Sequence, residues 1–304
     1  MPGHVPVLKE EAVQLLLTDP NGTYVDATLG GGGHAEALLG SLGVDGRLVG
    51  LDCDPAPIER ALAHPPAPEP RFSARRARFS ELKTALQSMG IGRVDGILAD
   101  LGLSSMQLED PARGLAFSVP GPLDMRLDPS LPESADAFLR RADDPELLRV
   151  LQEFGELPRA RAALRAIRAA LARQSPLTSD EIRRALEPIY GGPSRPRRLS
   201  QVFQALRIAV NHELEELDSL LQAAPSILRP GGTLCIIAYH SLEDRRVKNA
   251  FRPPRPMDPR APIASSPWTV LTKKPIRPSD RESRENPRAR SARLRAARIR
   301  EEAA

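Results

Sequence analysis

Four consecutive glycines, Gly30–Gly33, stand between the short apolar run Tyr24–Ala27 and the helix-forming stretch "HAEALLGSLG" that Gly43 closes. A strand-to-helix turn stripped of side chains lets the main chain approach a ligand closely, and the free amides at the helix start favour negative charge. The alternation then repeats. "GRLVGLDCDP" reads as a strand, and "APIERALAH" as a helix beginning just past Pro55. Equivalent strand ends roughly 22 to 26 residues apart are what parallel α/β units require. Val94–Leu98 supplies a further strand, continuous and apolar as in a sheet covered on both faces, and "GGTLCIIAYHS" a later one. Ahead of the first strand, Leu8, Ala12, Leu15 and Leu16 fall at helical spacing.

The chain has 304 residues, of which 41% are hydrophobic, enough for a substantial core. Cys53 and Cys235 lie in apolar runs without a CxxC spacing, so they are expected to pack as small hydrophobes in a reducing compartment. No disulfide framework and no metal site is expected. The first thirty residues carry Lys9, Glu10, Glu11, Asp19 and Asp26 with no cleavable apolar core, and no run of 18 apolar residues occurs. A soluble cytoplasmic protein without membrane association is the expectation. The net charge of +4 is unevenly spread: residues 245–304 hold 17 Lys or Arg against 6 Asp or Glu, leaving the preceding residues acidic. A basic tail on an acidic body suits a polyanionic partner, or is simply a solvated arm rich in arginine.

Between the two later strands lie more than a hundred residues that do not alternate. They are helical nearly throughout, with Leu164, Ile167, Ala170 and Leu171 on one apolar stripe. The expected organisation is a first part of an α/β domain over 1–127, an inserted all-helical domain over 128–200, and the second part over 201–304. "LSQVFQALRIAVNHELEELDSLLQAAPSIL" returns to the sheet as one or two long helices. From Phe251 onward Pro, Arg and Ser dominate, and a strand pair including "WTVLTKK" with a flexible basic C-terminal arm is expected.

The glycines satisfy G-x-G-x-x-G only loosely, through Gly30, Gly32 and Ala35. Asp26, four residues before Gly30, places a carboxylate at the end of the first strand, where a dehydrogenase loop needs none. Such an acid binds an ammonium group. A ligand with a cationic amine, a carboxylate and a ribose is an amino-acid nucleoside, and S-adenosylmethionine has all three. Asp52, 22 residues after Gly30, sits where the acid that binds ribose hydroxyls belongs, while Asp54 is better placed to cap the helix at Pro55. Phe79 is a candidate for the adenine face, or a core residue. Asp100 ends the strand of "ILADLGLSSMQL" at the carboxyl edge of the sheet. A hydrogen-bond acceptor there would favour pyramidalisation of a nucleobase amine, a poor nucleophile because its lone pair is delocalised. A helix cap, with Ser104 and Ser105 as turn residues, explains the same segment equally well.

Seven segments in order, "HVPVLKEEAV", "YVDATLGGGGHAEALL", "LDCDP", "VDGILADLGLSSMQLEDPARGLAFSVPGPLDMRLDP", "LSQVFQALRIAVNHELEEL", "GGTLCIIAYHSLEDRRVK" and "ENPRARSARLRAA", resemble the MraW-type family of ribosomal RNA small subunit methyltransferases along nearly the whole chain. The resemblance implies a class I S-adenosylmethionine-dependent, Rossmann-like fold with a helical insertion. It implies methylation of the 4-amino group of one cytidine in the 16S rRNA decoding region, with 16S rRNA in the 30S subunit as partner; a homodimer stays open. It further implies cofactor contacts from Gly32, Gly33, His34, Asp52, Phe79, Asp100 and Gln107, to which Asp26 and Gly30 are added from the residue reading. The candidate catalytic residues are Asp100, Ser104 and His240. "ADLGLSS" lacks the Pro-Pro-aromatic end common in amino methyltransferases of DNA, so a stacking aromatic must come from elsewhere, with Phe117 and Tyr239 as candidates. A non-catalytic RNA-binding protein on the same fold is the alternative.

Overall fold

A computed structural model describes residues 6–173, 176–253 and 265–301. The chain divides into two compact units, one of Met1–Gly102 with Leu214–Ala304 and one of Leu103–Glu213. Along the chain, α1 (Lys9–Leu16) leads into β1 (Thr23–Asp26), α2 (Gly33–Ser41), β2 (Arg47–Asp52), α3 (Pro55–Ala63), β3 (Phe72–Arg76), α4 (Leu82–Ser88) and β4 (Val94–Asp100). Then come α5 (Ser105–Glu109), α6 (Ala135–Arg141), α7 (Asp144–Glu153), α8 (Ala160–Arg173), α9 (Ser179–Leu186) and α10 (Arg195–Asn211). The first unit resumes through α11 (Glu213–Ile227), β5 (Leu228–Ala238), α12 (Ser241–Ala250), β6 (Trp268–Val270), α13 (Asp280–Glu285) and β7 (Arg293–Ile299). No helix of the described residues is long and apolar enough to cross a membrane.

The seven strands form one sheet in the order β3-β2-β1-β4-β5-β7-β6. The first five are parallel; β7 runs antiparallel between β5 and β6. Period-two alternation sorts the strand side chains onto two buried faces. Val25, Val49, Leu51, Ile97, Leu234 and Ile236 pack with Leu82, Leu86, Leu217 and Leu220 of α4 and α11. Tyr24, Leu48, Leu98, Cys235 and Ile237 pack with Leu16 and Leu38 of α1 and α2. This is the Rossmann-like class I architecture expected from the sequence. Cys235 is fully buried and burial pushes its thiol pKa up, as befits a packing residue; neither it nor Cys53 is in a disulfide.

The strand order reverses at β1, whose neighbours are β2 and β4. A crevice opens at such a switch point, outside the carboxyl ends of the strands. Those three strands end in Asp26, Asp52 and Asp100.

Three sequence expectations need correction. β3 is an additional strand, one that carries no clear alternation and has Arg75 and Arg76 at its end. The helical unit is wider than 128–200: Leu115, Leu123 and Met125 before it, and Val202, Phe203, Leu206 and Val210 after it, are buried in its core with Phe138, Leu151 and Ile167. Within this unit Asn211 binds the flanking loop, accepting from Leu127 N at 2.6 Å and donating to Met125 O at 2.7 Å. The C-terminal segment is not a loose arm: β7 lies inside the sheet, Leu294, Ala296 and Ala297 are fully buried, and Arg295 donates to Asp244 of α12 at 2.6 Å. Of the stretch from Phe251 onward, 254–264 and 302–304 lie outside the described residues.

Candidate active site

Asp26 is 1% exposed. Its Oδ1 accepts the amide of Thr28 at 3.1 Å, while Oδ2 has no hydrogen-bond partner among the described residues. Burial pushes its pKa up to about 6; His34 and the Thr28 amide pull it down, and the carboxylates of Asp100 and Asp52 push it further up. Asp52 accepts Gly30 N through Oδ2 and Asp54 N through Oδ1, each at 2.9 Å. It too is raised to about 6, chiefly by desolvation. Asp54 caps α3 through the amide of Ala56 at 3.1 Å, so Asp52 is spared that task.

The glycine loop has separate reasons at separate positions. Gly30 and Gly32 hold φ of +47° and +84°, the left-handed region that side chains disfavour. A Cβ on Gly33 would come within 3.0 Å of the Pro6 ring, whereas one on Gly31 would meet nothing within 4 Å. Gly31 therefore has no packing requirement. Gly32 is the N-cap of α2, and the amides of Gly33 and His34 in its first turn precede any intrahelical acceptor.

Asp100 is held by two hydrogen bonds and faces His34. Its amide donates to Thr28 Oγ1 at 2.7 Å, the Tyr239 hydroxyl donates to Oδ1 at 2.8 Å, and Oδ2 lies 3.7 Å from His34 Nδ1. Although 23% of the side chain still meets solvent, the walls of the crevice desolvate the carboxyl and raise its pKa to about 7. The Tyr239 hydrogen bond opposes that rise and Glu243 adds to it. His34 is buried, and desolvation lowers its pKa. Its Nε2 lies 3.0 Å from Val7 O, an atom that can only accept, so Nε2 carries a hydrogen while Nδ1 faces Asp100.

The remaining sequence candidates are placed as follows. Phe79 sits in a 3₁₀ turn, half-buried against the core, and two residues earlier Ala77 N returns to Asp52 O at 3.0 Å. Ser80 N and Oγ both donate to Glu216, at 2.9 and 3.0 Å, which pins this turn. His240 is the N-cap of α12: Nδ1 accepts Glu243 N at 3.4 Å, and Nε2 is 3.0 Å from Glu243 Oε1, within ion-pair reach yet not aligned as a hydrogen bond. Ser104 and Gln107 belong to the helical unit, where they form a capping box at α5. Phe117, in the same unit, packs edge-on against Phe203 at 6.1 Å.

Sequence reasoning missed two participants. Thr28 supplies the hydroxyl that receives the Asp100 amide, and nothing in "DATLG" distinguishes it from a turn residue. Glu243, 3% exposed, accepts the amides of Tyr239 and His240 at 2.8 and 3.2 Å. The spacing of His240 and Glu243 is that of a capping box, which was the available signal.

The sequence profile of the MraW methylase family matches residues 1–300. A ribosomal RNA small subunit methyltransferase H from Sorangium cellulosum (strain So ce56) is 44% identical over 97% of this chain and 90% of its own length. Proteins of the same name from Anaeromyxobacter sp. (strain K) and Thermomicrobium roseum are 43% and 44% identical, covering 96% and 97% of this chain and 96% and 93% of theirs. With the acids, the glycine loop and its capped helix all in place in a chain matched over this length, the protein belongs to the MraW methylase family.

Proposed function

We propose that this chain is an S-adenosylmethionine-dependent methyltransferase that acts on the exocyclic N4 of cytidine 1402 in 16S rRNA, within the 30S subunit. The carrying observation is Asp100, a hydrogen-bond acceptor at the end of β4 beside the glycine loop, in a crevice whose other acids suit a cation and a ribose.

The residues present fit the cofactor. Asp26 Oδ2, buried and without a hydrogen-bond partner among the described residues, matches an ammonium group. The first amides of α2, from Gly33 and His34, match a carboxylate, Asp52 the ribose hydroxyls, and Phe79 the adenine face. Gly31 and Gly32 border open space, as main chain wrapped on a ligand must. When bound, S-adenosylmethionine supplies a methyl group on a sulfonium sulfur, ready for direct displacement.

Asp100 works on the nucleophile. By accepting an amino hydrogen it localises the nitrogen lone pair, and a carboxyl with a pKa of about 7 is near balance for taking the proton released as the N–C bond forms. Gln107 enters this reading through the family pattern, and Ser104 and His240 as candidates read from the sequence; their side chains also cap helices. Much of the arginine in the helical unit is neutralised, Arg141 for instance by Glu133 and Glu146. Arg161 and Arg165, exposed one turn apart on α8, have no ion pair among the described residues and suit rRNA phosphates. The cytoplasm, where small subunits are assembled, is the corresponding location.

The test is transfer of a tritiated methyl group from S-adenosylmethionine to 30S subunits taken from cells that lack this modification, with the labelled nucleotide mapped. Label at the 4-amino group of that cytidine is expected. No incorporation into either subunits or free 16S rRNA would overturn the reading.

A further inference from the structure

We propose that Tyr239 is the positioning residue for Asp100: it engages one carboxylate oxygen and so presents the other to the reacting amine. The inference rests on the reading of Asp100 as the acceptor in methyl transfer.

Both ends of Tyr239 are fixed. It follows the last residue of β5; its amide donates to Glu243 Oε2 at 2.8 Å and its hydroxyl to Asp100 Oδ1 at 2.8 Å. The ring lies against Gly102, where a Cβ would sit 3.4 Å from Cδ2. A phenol oxygen facing a carboxylate in this arrangement must be the donor. Burial first, and then the negative charge of Asp100, keeps its proton on, with Glu243 and Glu282 acting in the same sense. With Oδ1 committed, Oδ2 is the oxygen left for a substrate hydrogen, since the ring nitrogen facing it, His34 Nδ1, stands 3.7 Å away, beyond hydrogen-bond distance.

Among the described residues, the groups that face Asp100 are therefore His34 from α2; Asp26 from β1, anionic once ionised; Glu243 from α12; and the Tyr239 hydroxyl. Only the last is a hydrogen-bond donor to the carboxylate oxygens. Removing it deprives the ionised form of its stabilising contact and raises the pKa of Asp100. It also frees Oδ1 to exchange places with Oδ2.

The test is Tyr239→Phe, which keeps the ring and its packing. Single-turnover methyl transfer to 30S subunits, followed against pH, should show its midpoint moved up by about one unit, the size expected when one hydrogen bond to a charged group is lost. The plateau rate should fall about tenfold or more, while affinity for S-adenosylhomocysteine stays within about twofold, because the hydroxyl touches no cofactor residue other than Asp100. A wild-type midpoint and rate in the variant would overturn the inference, as would a loss confined to cofactor binding. A second readout does not need activity: the 13C-carboxyl titration of Asp100 in the whole protein should move upward in Tyr239→Phe, and an unmoved titration rejects the coupling. Failure of the wild-type protein to methylate would instead sink the functional reading and leave the carboxyl titration to judge Tyr239.

Discussion

The amide of Gly30 donates to Asp52 Oδ2 at 2.9 Å, so the glycine loop is fastened to the acid that ends the neighbouring strand. Asp52 holds the loop, and on the proposed reading it also offers charge to a ribose. The two can be separated. Asp52→Asn keeps a carbonyl oxygen for Gly30 and should weaken S-adenosylhomocysteine binding about tenfold, whereas Asp52→Ala also releases the loop and should cost about a hundredfold. Isothermal titration reads both, and equal losses would mean that the loop contact contributes nothing.

Asp26 predicts a pH dependence of binding with a definite sign. Its folded pKa is raised from 3.8 to about 6, so the ligand-free protein holds this proton where a solvated aspartate would not. An ammonium group needs the carboxylate, so affinity for S-adenosylhomocysteine should climb between about pH 5 and pH 7 and then level off. Asp52 and Asp100 titrate beside it, and the midpoint belongs to the set. The same raised pKa makes the proton-linked stability of the empty site fully present below about 3.8 and lost as pH rises through about 6. Asp26→Asn should accordingly bind weakly with a flattened pH profile, yet melt higher than wild type at pH 8 without ligand. Lower melting of that variant would contradict the burial argument.

The reach of the sequence can be judged from these residues. Asp26, Asp52 and Asp100 were legible because each ends an apolar strand, and strand ends at a switch point are where parallel sheets gather their chemistry. The arrangement of Tyr239, Glu243 and Thr28 around Asp100 was not, since it depends on long-range register: Asp100 pairs with Ile237 across β4 and β5, and its amide meets a hydroxyl 72 residues away. The tail misled for a different reason. Its arginines suggested a solvated arm, but Arg295 is 7% exposed in β7, where its charge is met by an acid of α12 that local pattern could not reveal.

That ion pair carries a stability prediction. Arg295 Nε lies 2.6 Å from Asp244 Oδ1, and both side chains are mostly shielded, at 8% and 18% exposure. Among the described residues, Arg295→Ala leaves Asp244 in that setting with Arg293, at 4.0 Å, as its remaining cation, and should destabilise the α/β unit by about 3 kcal/mol. Urea unfolding followed by a probe in that unit measures it. Removing residues 281–304 should be far more damaging, because it strips β7 from between β5 and β6 and leaves β6 without its neighbour. Such a deletion would unfold the protein rather than isolate the contribution of basic residues to rRNA binding. Charge-reversing Arg161 and Arg165 on the exposed face of α8 is the appropriate probe of phosphate contact, with a shallower salt dependence of 30S binding expected.

Asp100 itself gives the sharpest outcome. Asp100→Ala should abolish methyl transfer, while Asp100→Asn, which can still accept a hydrogen bond but cannot take a proton, should retain transfer reduced by about 10² to 10⁴. Neither change should unfold the chain, since the carboxyl sits at the mouth of the crevice and the strand hydrogen bonds of β4 do not use it. An Asp100→Ala protein that methylates 30S subunits at the wild-type rate would show that the acceptor lies elsewhere in the crevice.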